Sequence, residues 1–456
     1  MLIKQIYTKC LAQASYYIEC EDEAAVIDPI RDVDVYIQLA AEKGVNIQYV
    51  LLTHFHADFV SGHLELAQKT GARIILGPNA QPAYGAIIAN DHDSILVGSH
   101  RIEVLHTPGH TIESTCFLLY NEDNIPHALF SGDTLFIGDV GRPDLLSGNL
   151  DAKTLADQLY HSLETKIKTL PDEVIVYPGH GAGSACGKNL ARETWSTIGQ
   201  QKASNYALKL NRDEFVNSIS TNQPPAPAYF FKDAVINKTG YQPLEIVLEK
   251  GLKPLSAEEV KTGWKKGTQI LDTRTGEEFG NCHIPGSIHI GLDGQYAIWV
   301  GTLIDFNTPL ILVTHKGEEK QALIRLSRIG YENIVGYLSE GLPGWLNAKL
   351  PTTSVSSISY QELTQHTSKP YTIIDVRSKT EFESEKLPNT LNIPLNELKS
   401  TFTHLNKNLP YAVVCAGGYR SMIAASMMKQ HGFTDVLNLH GGINAIKLEA
   451  DLLLTA

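Results

Sequence analysis

The chain has 456 residues, of which 43% are hydrophobic and 19% charged. These are ordinary proportions for globular material, and at roughly 100–200 residues per domain they predict about three domains. The 38 Lys and Arg stand against 50 Asp and Glu, a formal charge of −12, which argues against nucleic acid or an anionic membrane surface as a partner. No run of about 18 apolar residues is present to span a bilayer. The segment from Met1 to Tyr7 lacks the apolar core of a secretion signal. Six cysteines (Cys10, Cys20, Cys116, Cys186, Cys282, Cys415) are scattered without close pairs. That pattern predicts a reducing cytoplasm and one or two reactive thiols, not a disulfide scaffold.

The first predicted elements are short apolar runs closed by polar or turn residues, from Ala24 to Pro29 and from Tyr49 to Thr53, with helical spacing between Val33 and Lys43. Further strands are expected at 73–76, 101–105, 114–120, 128–130 and 174–177. Strands that close on Gly, Pro or His, with helices between them, predict an α/β fold of layered sheets covered by helices. A Pro-rich stretch at 223–227 precedes a boundary near residue 245.

The remainder repeats itself. Gln269-Ile270-Leu271-Asp272-Thr273-Arg274 matches Thr372-Ile373-Ile374-Asp375-Val376-Arg377, and Glu278-Phe279 matches Glu381-Phe382. Ile284-Pro285 matches Leu387-Pro388, and Ile329 to Val335 matches His431 to Leu437. The period is too long for a solenoid and implies a duplicated small parallel α/β domain. The expected domains are 1–245, 246–354 and 355–456.

The sharpest motif is Thr53-His54-Phe55-His56-Ala57-Asp58-Phe59, after a strand and before a helical stretch from Leu64. A strand end is rigid, so His54, His56 and Asp58 are held on one rim, and this donor set suits iron or zinc. Three more strands end in the same way: at Pro108-Gly109-His110-Thr111, at Ser131-Gly132-Asp133-Thr134 and at Pro178-Gly179-His180-Gly181. Glycine lets each turn tightly and carries a ligand to a common rim.

This order of motifs resembles the metallo-β-lactamase superfamily across nearly all of residues 1–240, and Ser131 to Asp144 looks like its persulfide dioxygenase branch. The resemblance implies an αββα sandwich with one Fe(II) per chain, held by His54, His110 and Asp133. His56, Asp58 and His180 would surround it, leaving positions for substrate sulfur and dioxygen. Arg142 resembles the family arginine that contacts the anionic groups of the substrate, a role its rigid fork of donors suits. Tyr177, beside the His180 turn, is a candidate for lining the same mouth, with core packing as the equal alternative. In dinuclear hydrolases of the superfamily a His follows the Asp and ligates a second metal. Phe59 has no lone pair, so a second site would retain only Asp58, His180 and a shared Asp133.

Near the C-terminus a strand from Tyr411 to Val414 runs into Cys415-Ala416-Gly417-Gly418-Tyr419-Arg420-Ser421, and a helix follows. Gly417 and Gly418 allow successive backbone N–H groups to surround the sulfur, and Arg420 adds positive charge nearby; both favour a thiolate or anionic persulfide. Residues 355–456 resemble a rhodanese domain. The four residues between Cys415 and Arg420 match sulfurtransferases, whereas phosphatases of that fold carry one more. In the first copy, His315 stands where the cysteine belongs, so no persulfide forms there. Cys282 is expected to be structural, and Cys10, Cys20 and Cys116 to lie in the core. Cys186, in the small-residue loop after His180, resembles a cysteine of the three-domain fusion enzymes implicated in persulfide handling.

The full order of domains resembles the bacterial CstB-type persulfide dioxygenase–sulfurtransferases. That resemblance implies oxidation of a low-molecular-weight persulfide (of glutathione, coenzyme A, cysteine or another thiol) by O2 to sulfite and thiol. Cys415 would then transfer sulfur to sulfite, making thiosulfate, in a homo-oligomer. The alternative is a glyoxalase-II-like zinc thioester hydrolase with rhodanese-like accessory or docking domains.

Overall fold

The computed structural model describes residues 1–145, 150–221, 223, 225–366 and 369–455; Pro224 of the Pro-rich stretch lies outside them. The chain forms two compact units, Met1–Ile246 with Ser327–Gly330, and Val247–Leu326 with Tyr331–Ala456.

The first unit is built on two six-stranded sheets. One runs in chain order through β1 (Leu2–Thr8), β2 (Gln13–Cys20), β3 (Glu23–Ile27), β4 (Asn46–Leu52), β5 (Arg73–Leu76) and β6 (Ile87–Ile88). The other holds β7 (Ser94–Val97), β8 (His100–His106), β9 (Thr115–Tyr120), β10 (Pro126–Gly132), β11 (Ile175–Pro178) and β12 (Ser196–Thr197). Side chains alternate across each strand, so each sheet has two faces to bury. Tyr16, Ile18, Ile27 and Leu51 of the first sheet meet Val104, Phe117, Leu119 and Phe130 of the second in one core. On the outer face of the first sheet, Val26, Val50 and Ile74 pack with Tyr36 and Ala40 of helix Asp34–Lys43 and Leu66 of helix His63–Thr70. On the outer face of the second, Leu118, Leu129 and Val176 meet Ala156 and Leu159 of helix Ala152–Ser162 and Phe215 of helix Arg212–Ser220. The result is the expected αββα sandwich.

The second unit contains two five-stranded, all-parallel sheets. The first comprises β13 (Pro254–Leu255), β14 (Gln269–Asp272), β15 (Ile288–His289), β16 (Leu310–Val313) and β17 (Ile334–Leu338), in the order β13-β17-β16-β14-β15. The second comprises β18 (Ser357–Ile358), β19 (Thr372–Asp375), β20 (Thr390–Asn392), β21 (Tyr411–Val414) and β22 (Val436–Leu439), in the order β18-β22-β21-β19-β20. The two orders are the same circuit, and the two modules are rhodanese-like in fold. Matching pieces of sequence also take matching jobs. Arg274 pairs with Asp272 in one module and Arg377 with Asp375 in the other, and both pairs are buried.

Cys20 and Cys116 lie buried in strands, but Cys10 does not belong to the core. It occupies the turn between β1 and β2 and is half-exposed. Among the described residues, no helix is long and apolar enough to cross a membrane.

Candidate functional site

Four strands of the sandwich deliver buried polar side chains to one rim: β4 leads to His54, β8 to His110, β10 to Asp133 and β11 to His180. Glycines permit the approach. Gly132 has φ +49, and a Cβ there would lie 2.6 Å from Thr53; a Cβ on Gly179 would lie 2.6 Å from Asp133 Oδ1. His54 Nε2 and His110 Nε2 stand 3.9 and 3.5 Å from Asp133 Oδ2. His180 Nε2 stands 3.6 Å from Asp133 Oδ1 and 3.4 Å from Asp58 Oδ2.

The tautomers follow from the partners of the other ring nitrogens. His110 Nδ1 donates to the Arg142 carbonyl at 2.8 Å, and His180 Nδ1 donates to the Ala12 carbonyl at 3.2 Å. Thr53 Oγ1 donates to Asp28 Oδ2 at 2.8 Å, which leaves its lone pair to accept His54 Nδ1–H at 2.9 Å. All three imidazoles therefore turn a bare Nε2 lone pair toward the carboxylates. Both oxygens of Asp133, Oδ1 of Asp58 and Nε2 of His180 are buried without a hydrogen-bond partner. Such an arrangement is costly unless something else satisfies it. A cation does so, and two imidazoles with one carboxylate suit iron or zinc. His54, His110 and Asp133 form one group able to hold a metal. Burial, with the neighbouring imidazoles, keeps His54 well below the usual histidine range and hence neutral.

His56 sits apart from that set. Its Nε2 lies 3.0 Å from Asp28 Oδ1, and its ring packs on Phe59. Burial alone would lower its pKa, but Asp28, Asp58 and Asp133 outweigh burial and raise it. Asp28, with φ +49 at the end of β3, also accepts the Thr53 N–H. Asn237 clamps the ligand loop from the helix Phe230–Thr239, donating to the carbonyls of His56 (2.8 Å) and Phe59 (2.7 Å) and accepting from Ser61 N. Neither Asp28 nor Asn237 is singled out by the sequence motifs. The only local trace is an aspartate closing a strand.

The structure corrects the account of the second cluster. Phe59 is buried and offers no ligand, but Cys186 joins Asp58 and His180 as a second group able to hold a metal. Burial and the charges of Asp58 and Asp133 push the Cys186 thiol well above its ordinary range. Arg142 is buried; its fork grips Asp144 through Nε (2.7 Å) and Nη2 (2.8 Å), and Nη1 donates to the Ala185 carbonyl. Tyr177 packs its ring into the inter-sheet core, stacked on Phe130.

In the second unit, Cys415 ends β21. Gly418, with φ +98, donates its N–H to Cys415 Sγ at 3.1 Å, and the helix Tyr419–Gln430 begins there. Ser421 Oγ lies 3.5 Å from the sulfur and donates to Asn438 Oδ1 at 2.7 Å. Gly417 is exposed in the loop. Arg420 turns two N–H groups onto Glu381, at 2.7 and 2.8 Å. In the preceding module His315 bonds Glu278, the counterpart of Glu381, at 2.8 Å. Cys282 packs beside the core of that module.

Residues 8–180 match the Metallo-beta-lactamase superfamily, and residues 256–348 and 359–449 each match the Rhodanese-like domain. The chain belongs to the metallo-β-lactamase superfamily and carries two rhodanese-like domains. It is similar to a metallo-beta-lactamase from Staphylococcus aureus, with 36% identity over 74% of this chain and 99% of that one, at a TM-score of 0.66. It is also 29% identical to the human mitochondrial persulfide dioxygenase ETHE1, over 50% of this chain and 84% of that protein. A probable hydroxyacylglutathione hydrolase of Schizosaccharomyces pombe is 28% identical over 46% and 88%. Identity alone therefore does not choose between oxidation and hydrolysis.

Proposed function

We propose that the chain is a non-haem iron(II) persulfide dioxygenase joined to a thiosulfate-forming sulfurtransferase. One observation carries this reading: a two-histidine, one-carboxylate cluster and a Cys-bearing rhodanese loop occur in one chain, and sulfane sulfur is the substrate their chemistries share. The similarity to persulfide dioxygenases supports it. A ferrous ion held by His54, His110 and Asp133 would supply oxygen activation and a place for the outer sulfur of a small persulfide.

The chain's own residues do the rest. Arg142 fixes the orientation of His110 through its carbonyl, and an anionic group of a carrier thiol must compete with Asp144 for its fork. Burial of the cluster excludes bulk water from the reacting sulfur. The net change takes persulfide, O2 and water to the parent thiol, sulfite and two protons. Cys415 takes sulfane sulfur from a second persulfide. A new S–S bond forms at Cys415 as the donor's S–S bond breaks, and the donor thiol leaves with the proton. The sulfite lone pair then attacks that outer sulfur, thiosulfate departs, and the Cys415 thiolate returns. Tethering both activities keeps sulfite concentrated near its acceptor.

Metal analysis with oxygen uptake tests the reading: about one iron per chain and persulfide-dependent uptake are expected. His110→Ala loses both; a variant that kept them would remove the assignment. The cluster of Asp58, His180 and Cys186 favours a second reading, a dinuclear thioester hydrolase. About two zincs per chain, with a glutathione thioester hydrolysed under nitrogen, would establish that reading instead.

A further inference from the structure

A cleft of about 1050 Å³ opens on the Cys415 loop, and both rhodanese-like modules line it. Gly417, Gly418, Asn438 and Gly441 supply one wall, and Glu277, Asn281 and Asp293 of the Cys-less module supply the other. The two walls are fastened together. Tyr419, the first residue of the helix after the loop, donates its hydroxyl to the Gly291 carbonyl at 2.8 Å. A Cβ on Gly294 would strike the Tyr419 ring at 2.4 Å, so only glycine admits it. Further along that helix, Ser426 Oγ accepts the His289 N–H, and Gln430 bonds Gln269 and the Gly286 carbonyl. The module that lacks a thiol thus builds half of the approach to the other module's sulfur.

The charge of the cleft is one-sided. Glu277 and Asp293 are exposed carboxylates on its lining, and no Lys or Arg is among its described lining residues; His440 is the one base. Arg420, the cation of the loop, is neutralised by Glu381. A carrier whose only charges are negative meets repulsion there, whereas an ammonium group meets two carboxylates.

We propose that this cleft seats the carrier of the sulfane-sulfur donor by its amino group, so that Cys415 draws sulfur preferentially from small aminothiol persulfides. The assignment rests on Cys415 being a sulfur acceptor, and it gives Glu277 and Asp293 the selection of the donor. Chemically, the Cys415 thiol and the donor persulfide give Cys415 persulfide and the free aminothiol, with one S–S bond made, one broken and no other reactant consumed.

The test is anaerobic, single-turnover sulfur uptake by the full chain at low salt and mildly alkaline pH, read as the mass gain of one sulfur on the peptide carrying Cys415. The donors are the persulfides of cysteamine, a cation, and of mercaptopropionate, an anion. Cysteamine persulfide is expected to load Cys415 about tenfold faster, a modest ratio because both carboxylates are exposed and screened. The gap should narrow to about twofold in Glu277→Gln/Asp293→Asn, and likewise in the unaltered chain at high salt. Equal rates in the unaltered chain, or a gap that survives both neutralisation and salt, would overturn the assignment while leaving sulfur transfer intact. Failure of every donor to load Cys415 would instead bring down the sulfur-transfer reading, and the cleft assignment with it.

Discussion

Asn237 reaches the His56 carbonyl at 2.8 Å across 181 residues of sequence, and with its other contacts it holds the whole turn from His56 to Ser61. Replacing it by Ala strands two buried carbonyls and one buried N–H. At about 1–3 kcal/mol for each group left unpaired, with partial relief from relaxation, Asn237→Ala should cost about 2–5 kcal/mol. Because the same turn presents Asp58 and lies beside His54, metal content should fall with thermal stability. Differential scanning calorimetry and metal analysis on one preparation check this. An unchanged transition would show that the clamp is not needed.

Thr53 makes a narrower prediction. Its hydroxyl is the group that holds His54 Nδ1–H and thereby bares Nε2. Thr53→Val keeps the shape and removes that acceptor, so metal affinity should drop about 10- to 100-fold, the usual effect of losing a partner of a metal-binding histidine. A competitive chelator titration measures it. Thr53→Ser, which keeps the hydroxyl, should restore most of the affinity.

Much of this site was legible because each candidate ligand follows the end of a strand, three of them beside a glycine, and local pattern is what a sequence displays. His110, Asp133 and His180 carry the glycine, and His54 is marked by its spacing to His56 and Asp58. Asp28 and Asn237 do not, since their work is done through buried bonds to distant backbone. Cys186 was legible as a thiol near the rim, but its meeting with Asp58 and His180 depends on how a small-residue loop folds back. The hairpin of β1 and β2 escaped for another reason. β2 is almost wholly buried yet contains Gln13, whose Nε2 donates to the Asp28 carbonyl, and Ser15, whose hydroxyl bonds that of Tyr36. It does not read as apolar. The two rhodanese-like modules were legible as a repeat because matched segments occupy matched strands, whereas the cleft between them arises from contacts that neither copy shows alone.

Glu381 carries a pH dependence. The bidentate bonds from Arg420 push its carboxyl from 4.5 down to about 2, against the opposing effect of partial burial. A folded-state value below the unfolded one contributes stability above the unfolded value, and that stability is lost as the pH falls toward about 2. The pair is partly exposed, with side-chain exposures of 23% and 38%, so solvent screening limits it to about 1 kcal/mol or less. Amide protection in the helix Lys379–Ser384, taken as exchange relative to the intrinsic rate at each pH, should therefore fall between about pH 4.5 and pH 2 in the unaltered chain. In Glu381→Gln that protection should be lower at neutral pH and nearly flat over the same interval. Parallel profiles for the two proteins would mean that the ion pair contributes nothing.

Cys415→Ser separates the two chemistries. The substitution removes the sulfur acceptor but leaves a hydroxyl of similar size beside Gly418 and Ser421, so the loop keeps its shape. Oxygen uptake with a persulfide should remain within about twofold of the unaltered chain, because none of the rim residues changes. The product should shift from thiosulfate to sulfite, with the parent thiol released in equal amount. Ion chromatography of the sulfur oxyanions reads the shift directly. If thiosulfate persisted at its former yield, the transfer step would have to lie elsewhere, and Cys186, buried beside Asp58 and His180, would be the thiol to replace next.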